Sequence, residues 1–233
     1  MHTAREVVLY LCAAMVIWSG IRLIQERLGA EFRPPIELLK RLWRPIPPVA
    51  AFLAVLMAVM TVVQAVHPSV VGTLERDPDG AWWHCLTALL VQSDGWKQII
   101  FNYAALVAIA PFAERMIGSR PAALVYLVSG VAAQIVSTAG WYPVGAGNSV
   151  AICGQLAACA TLYIFRGPNP TLRRQLLLIP AATAILCALT NNHGIGLLAG
   201  CVFGAAFAAL RFPVAATPEP AESIGRVTEP YEG

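Results

Sequence analysis

"PAALVYLVSGVAAQIVSTAGWYPVGAGNSVAICGQLAACATLYIF", residues 121–165, contains no Asp, Glu, Lys or Arg. About 20 predominantly apolar residues carry an α-helix across a bilayer, so this stretch is long enough for two spans, 121–139 and 149–165. Between them lies the uncharged break "GWYPVGAGNS" (140–149), rich in the residues that stop helices. A second charge-free stretch, 175–210, divides in the same way at "TNNHG" (190–194) into spans 175–190 and 193–210. Three more apolar segments precede these pairs, at 7–24, 46–66 and 96–114. The predicted fold class is therefore all-α, a polytopic transmembrane helical bundle of seven spans. Composition agrees, since 58% of the 233 residues are hydrophobic and only 12% charged, against about 25% charged in an ordinary soluble domain.

The basic residues orient the bundle. Arg22, Arg27, Arg33, Lys40, Arg41 and Arg44 crowd the connection between the first two spans, which the positive-inside rule places in the cytoplasm. Alternation then puts Arg115, Arg120, Arg166, Arg173, Arg174 and Arg211 on the same side, while the opposite connection at 67–95 carries Glu75, Asp77, Asp79 and Asp94. Both uncharged breaks accordingly face the extracytoplasmic side, where Ser149 and His193 begin two different helices at one level of the membrane.

Three regions follow from this. Residues 1–45 form an N-terminal transmembrane or anchor helix with a basic cytoplasmic linker, 46–211 a six-helix membrane core, and 212–233 a disordered cytoplasmic tail rich in Pro, Glu and Ala. Segment 7–24 lacks a basic n-region and an A-x-A-like site and is read as a retained anchor. Within the linker, Ile36, Leu39 and Trp43 recur at helical spacing among basic residues, as in an interfacial helix. A formal charge of +3 without a basic aromatic stripe gives no reason to expect nucleic acid as a partner. Five of the six cysteines fall in apolar segments, Cys85 alone in a polar loop, so no disulfide framework is expected. Neither CxxC nor HExxH occurs; no metal site and no cofactor are predicted.

Polar groups in membrane segments are costly and point to function. Four stand out here, Gln98, Asn102, Ser149 and His193. Singly, Ser149 reads as a helix cap and His193 as a polar residue following Asn191 and Asn192 at the start of a helix. Together they read as a nucleophile and a base, because a serine hydroxyl needs a neighbouring group to take its proton and imidazole titrates near neutrality. Gly196, Gly200 and Gly204 follow His193 at a spacing of four, and Gly154, Ala157 and Ala158 give the Ser149 helix a comparably small surface. Such spacing lets two membrane helices approach closely. The Ser149 amide, near a positive helix end, is one candidate oxyanion donor. Asn102 is either a second or an interhelical hydrogen bond that pins the bundle.

These residues resemble the rhomboid family of intramembrane serine proteases. "GNSVAICG" (147–154) is similar to the family's GxSGxxxG, with Ser149 at the nucleophile position, and "HGIGLLAG" (193–200) to HxxGxxxG, with His193 as base. "FNYAALVAIAPFAERMIG" (101–118) resembles the helix that begins with the family's asparagine and ends Glu-x-x-x-Gly, here Asn102, Glu114 and Gly118. "WHCLT" (83–87) resembles the Trp-Arg-x-x-Thr of its first loop. Three positions depart: Val150 replaces the glycine after the serine, Gln98 stands where many bacterial members have an oxyanion-hole histidine, and His84 replaces the arginine. The resemblance implies a rhomboid fold of six core helices, here preceded by one extra N-terminal helix, and a wet cavity opening outside. It implies a Ser149–His193 dyad without an acid, and an oxyanion hole of Asn102, Gln98 and the Ser149 amide. The implied substrates are transmembrane segments of other proteins, cleaved near the extracytoplasmic side of a bacterial cytoplasmic membrane. An inactive rhomboid-like protein that binds such clients is the alternative, and a small transporter or channel is a more distant one.

Overall fold

The computed structural model describes residues 3–29 and 34–211. The tail at 212–233 and residues 30–33 of the linker lie outside the described residues. Among the described residues seven helices are long and apolar enough to cross a membrane. The first, α1 (Ala4–Leu28), opens on a capping box in which Thr3 and Glu6 satisfy each other's backbone amides. A short helix α2 (Pro35–Leu42) leads to the second span, α3 (Pro48–Val66). The loop after it carries two short turns of helix, α4 (Val70–Leu74) and α5 (His84–Thr87). Four more spans follow: α6 (Gly95–Ile117), α7 (Ser119–Val136) with a π-helical extension at Ser137–Trp141, α8 (Ser149–Arg166), and the pair α9 (Pro170–Gln175) and α10 (Leu178–Ala188), which crosses as one interrupted element. The last span is α11 (Asn192–Ala209).

The α8 helix is the axis of the bundle. Its residues are buried from Val150 to Tyr163 except at Cys153, and it packs against α11, α7 and α6. By contrast α3 presents Phe52, Val55, Val59, Val62 and Val66 on one exposed face, a stripe whose natural neighbour is lipid. The α1 helix lies against α10 and α8, with Gly20 under Leu156, the Arg5 guanidinium donating to the Leu189 carbonyl at 2.9 Å, and Tyr163 donating to Glu26 at 3.0 Å.

Two junctions at the end of the bundle away from Ser149 show why particular residues stand where they do. The turn from α6 into α7 consists of Gly118 alone, with φ of +85°, a conformation that costs a glycine little and other residues more. Glu114 accepts from the amides of Val49 and Ala50 at 3.3 and 2.8 Å and so supplies the cap that Pro47 and Pro48 cannot give α3. Arg115 donates to the carbonyls of Leu42 and Pro45, at 2.8 and 2.9 Å, tying α2 and the linker to α6. The linker helix differs from the expected interfacial one. Ile36 is exposed and Leu39 half-buried, but Leu42 is fully buried and the Trp43 indole donates to the Val107 carbonyl at 2.9 Å, so Trp43 serves as a strut against α6.

Candidate active site

The α8 and α11 helices meet backbone to backbone. A Cβ built on Gly196 would lie 2.3 Å from the Val150 carbonyl oxygen, one on Gly200 2.1 Å from that of Gly154, and one on Gly204 2.4 Å from that of Ala158. Three glycines at a spacing of four thus face three carbonyls at the same spacing. Lipid offers no hydrophobic force between helices, so packing and weak Cα–H···O contacts must hold such a pair, and both need this close approach. Gly154 does a second thing as well: a Cβ there would overlap Ser129 of α7, so its small size admits α7 while its carbonyl receives Gly200.

This seam fixes the distance between the first turns of the two helices. Ser149 is the first residue of α8 and is not its cap, since Asn148 holds that position. His193 is the second residue of α11, whose cap is Asn191. The imidazole Nε2 and the Ser149 hydroxyl are 2.9 Å apart. On the other side of the ring, Nδ1 lies 3.0 Å from the Asn191 amide oxygen, which also accepts the His193 backbone N–H at 3.0 Å. Both Ser149 and His193 are partly exposed at this end of the bundle.

The segment leading into Ser149 is held by side chains from four directions. Gly147 has φ of +153° and would place a Cβ 2.5 Å from the Gln98 amide nitrogen, so both conformation and space call for glycine here. Its N–H donates to the Ala88 carbonyl at 2.9 Å, and its own carbonyl accepts from Gln134 at 3.0 Å. Ser93 and Ala146 exchange hydrogen bonds at 3.0 and 3.1 Å. Arg76 donates to the carbonyls of Tyr142 and Gly145, at 2.9 and 3.1 Å, and to the side chain of Gln134. The Arg76 backbone also pairs with Gly145, at 3.1 and 3.3 Å. Burial lowers the pKa of this guanidinium from its ordinary value, but it stays charged, and hydrogen bonds to a charged donor are the stronger kind.

Beneath this segment runs a chain of buried amides. The Gln64 side chain pairs with both backbone polar groups of Gln92 at 3.1 Å. The Gln92 side chain accepts from Asn102 at 2.5 Å and donates to Asn148 at 3.2 Å. Asn102 is therefore buried with its amide donating to Gln92, which lies in the loop before α6 and not on another helix, so this bond is not the interhelical one expected. Gln98 accepts from the Asp94 N–H at 2.8 Å and donates to the Ala146 carbonyl at 3.1 Å. The structure thus joins Ser149 to His193, and sets Asn102 and Gln98 among the groups that brace the 145–148 segment. In the first turn of α8, the amides of Ala151 and Ile152 bond to the Asn148 carbonyl at 3.0 and 3.1 Å.

Four contributors were not singled out from sequence. Gln134 was visible as an amide in an apolar run, and Asn191 as the residue two before His193. Gln92 and Arg76 carried no such mark, because both sit in a polar loop where an amide and a cation are ordinary. His84 has its Nδ1 buried without a hydrogen-bond partner among the described residues, and the loop is tied to the 142–145 segment by Arg76. Among the described residues no three His, Cys, Asp or Glu side chains are grouped so as to hold a metal ion.

Comparison with known proteins places the chain in a family. The family model for the rhomboid domain matches residues 79–214, more than half of the chain, a range that includes Gln98, Asn102, Ser149 and His193 but neither Gln64 nor Arg76. A relative from Bacillus subtilis (strain 168), named "Putative rhomboid protease YdcA", is 29% identical over 118 residues, a match covering 49% of this chain and 59% of that one. A seven-span helical bundle with this match over its core belongs to the rhomboid family.

Proposed function

We propose that the chain is an intramembrane serine endopeptidase that cleaves transmembrane segments of other membrane proteins near the extracytoplasmic side, by a dyad of Ser149 and His193. The observation that carries this is the 2.9 Å approach of the His193 Nε2 to the Ser149 hydroxyl, made by two helices that a glycine seam holds together. A base within hydrogen-bond reach is what a serine needs to become a nucleophile. In the reaction, Nε2 takes the Ser149 proton as the oxygen bonds to a substrate carbonyl carbon. The resulting imidazolium returns the proton to the leaving amine as the C–N bond breaks, and an acyl-enzyme remains. Water, deprotonated by the same nitrogen, then releases the acid and regenerates Ser149.

The oxyanion of each tetrahedral intermediate needs preorganised donors. The Ser149 amide is the nearest at a positive helix end, with the second hydrogen of the Asn102 amide and the Gln98 amide as supporting donors. Substrates are membrane helices that unwind locally, because a helical backbone keeps its carbonyls in its own hydrogen bonds. The setting is the cytoplasmic membrane of a bacterium, with the arginine-rich end of the bundle inside.

One observation favours a second reading, a rhomboid-like protein that binds client helices without cutting them. Gln98 already donates to Ala146 and Asn102 to Gln92, while Val150 adds bulk beside the serine. A fluorophosphonate probe separates the two. Labelling of the purified protein that disappears in Ser149→Ala and His193→Ala supports the protease, and an unlabelled wild type that still captures transmembrane peptides supports the binder.

A further inference from the structure

The two bonds accepted by the Asn191 amide oxygen have a chemical consequence for the ring they hold. Which end of an asparagine amide is the oxygen follows from its partners. Here one partner is the His193 backbone N–H, which can only donate, at 3.0 Å. The atom facing it is therefore the oxygen. That same oxygen lies 3.0 Å from Nδ1, and two acceptors do not bond, so Nδ1 carries the proton. A neutral imidazole has one N–H; Nε2 is then left with its lone pair, directed at the Ser149 hydroxyl 2.9 Å away.

We infer that Asn191 is a positioning residue that selects the Nδ1–H tautomer of His193 and so makes Nε2 the base. The inference rests on the proposed roles of Ser149 and His193 and deepens them: the dyad expected from sequence works through a neutral third member. Its position explains its use. As the cap of α11, Asn191 has an extended backbone, with φ of −94° and ψ of 128°, that turns its side chain back over the first turn. Capping the helix and orienting the ring thereby become one arrangement. Among the described residues no charged side chain hydrogen-bonds the ring, and the charges that act on it through space, Arg76 and Asp94, belong to the first loop and its end. Unlike a carboxylate, the amide oxygen orients the ring without adding a buried charge to the membrane.

The test separates capping from ring orientation. Serine caps helices about as well as asparagine but is too short to reach Nδ1, whereas aspartate both caps and reaches. Asn191→Ser is expected to keep the thermal midpoint of the wild type while its fluorophosphonate labelling rate and kcat fall, with KM little changed. The fall is roughly 10–100-fold, less than the ~10⁴ seen where a serine-protease histidine is forced into the wrong tautomer, because here the tautomer is only released. Asn191→Asp restores most of the rate. Independently of activity, 15N NMR of protein labelled at histidine, assigned with His193→Ala, reads the ring at alkaline pH. A protonated Nδ1 in the wild type that becomes a mixture in Asn191→Ser is the expected result. A bare Nδ1 in the wild type, or an Asn191→Ser protein labelled at the wild-type rate, overturns the inference. A wild type that the probe leaves unlabelled counts against the protease reading instead, and the spectrum then decides the tautomer by itself.

Discussion

Substituting Gly196 by alanine should disable the site from outside it. A Cβ at this position would stand 2.3 Å from the Val150 carbonyl oxygen, and such atoms are not found closer than 3.0 Å, so α11 must move away from α8 by at least 0.7 Å there. The contact lies one residue after Ser149 on one helix and three after His193 on the other. Carried to the dyad, the shift lengthens the 2.9 Å bond to about 3.6 Å, beyond a hydrogen bond. A misplacement approaching 1 Å costs on the order of 100-fold in rate, while overpacking itself costs about 1–3 kcal/mol of stability. Gly204→Ala is the internal control. Its Cβ would meet the Ala158 carbonyl at 2.4 Å, nearly the same overlap, but roughly 12 Å further along α11 at 1.5 Å per residue. Thermal unfolding and the rate of fluorophosphonate labelling, measured below both midpoints, distinguish the variants. Similar losses of midpoint with a far larger loss of rate in Gly196→Ala are expected. Wild-type labelling of Gly196→Ala, or equal loss of rate in both, would refute the idea that the glycine seam sets the Ser149–His193 distance.

Other outcomes follow from the braces around the site. Arg76→Lys keeps the charge but loses the fork that spans Tyr142, Gly145 and Gln134, and hydrogen bonds from a charged group are worth about 1.5–3 kcal/mol; hydrogen exchange at 142–148 should rise and labelling should fall. Glu114→Ala removes the acceptor for two α3 amides and should lower the thermal midpoint, at a cost of about 1–2 kcal/mol, with little effect on the labelling rate of the folded fraction. Gln98→Ala should lower labelling only in part, since Ser93 still holds Ala146. A loss as complete as that of His193→Ala would show that Gln98 takes a direct part in the chemistry.

Much of this was legible in the order of charges along the chain. A bilayer penalises charge so strongly that seven spans and their breaks can be located between ionisable residues, and the helices found lie within a few residues of the expected ends. The meeting of Ser149 and His193 was legible for a related reason, because both follow uncharged breaks at one end of the bundle and both precede small residues. What remained hidden depends on side-chain direction. The interruption between α9 and α10 carries no charge to mark it. The spacing of Trp43 predicts a place on an interfacial helix, yet its indole reaches a carbonyl of α6 that no spacing identifies. Arg76 lies between Glu75 and Asp77 and looks like ordinary loop charge, although folding buries it against three partners. Asn191 offered only its residue type, one favoured at helix caps; its second bond, to Nδ1, requires the ring to be folded back over the turn.

The most direct measurement places the purified protein in liposomes with a reporter protein bearing one transmembrane helix, and follows the product by mass spectrometry. The account predicts cleavage near the extracytoplasmic end of the reporter helix by the wild type, and none by Ser149→Ala or His193→Ala. Cleavage that persists in Ser149→Ala would contradict it, as would an intact reporter after incubation with a folded wild type.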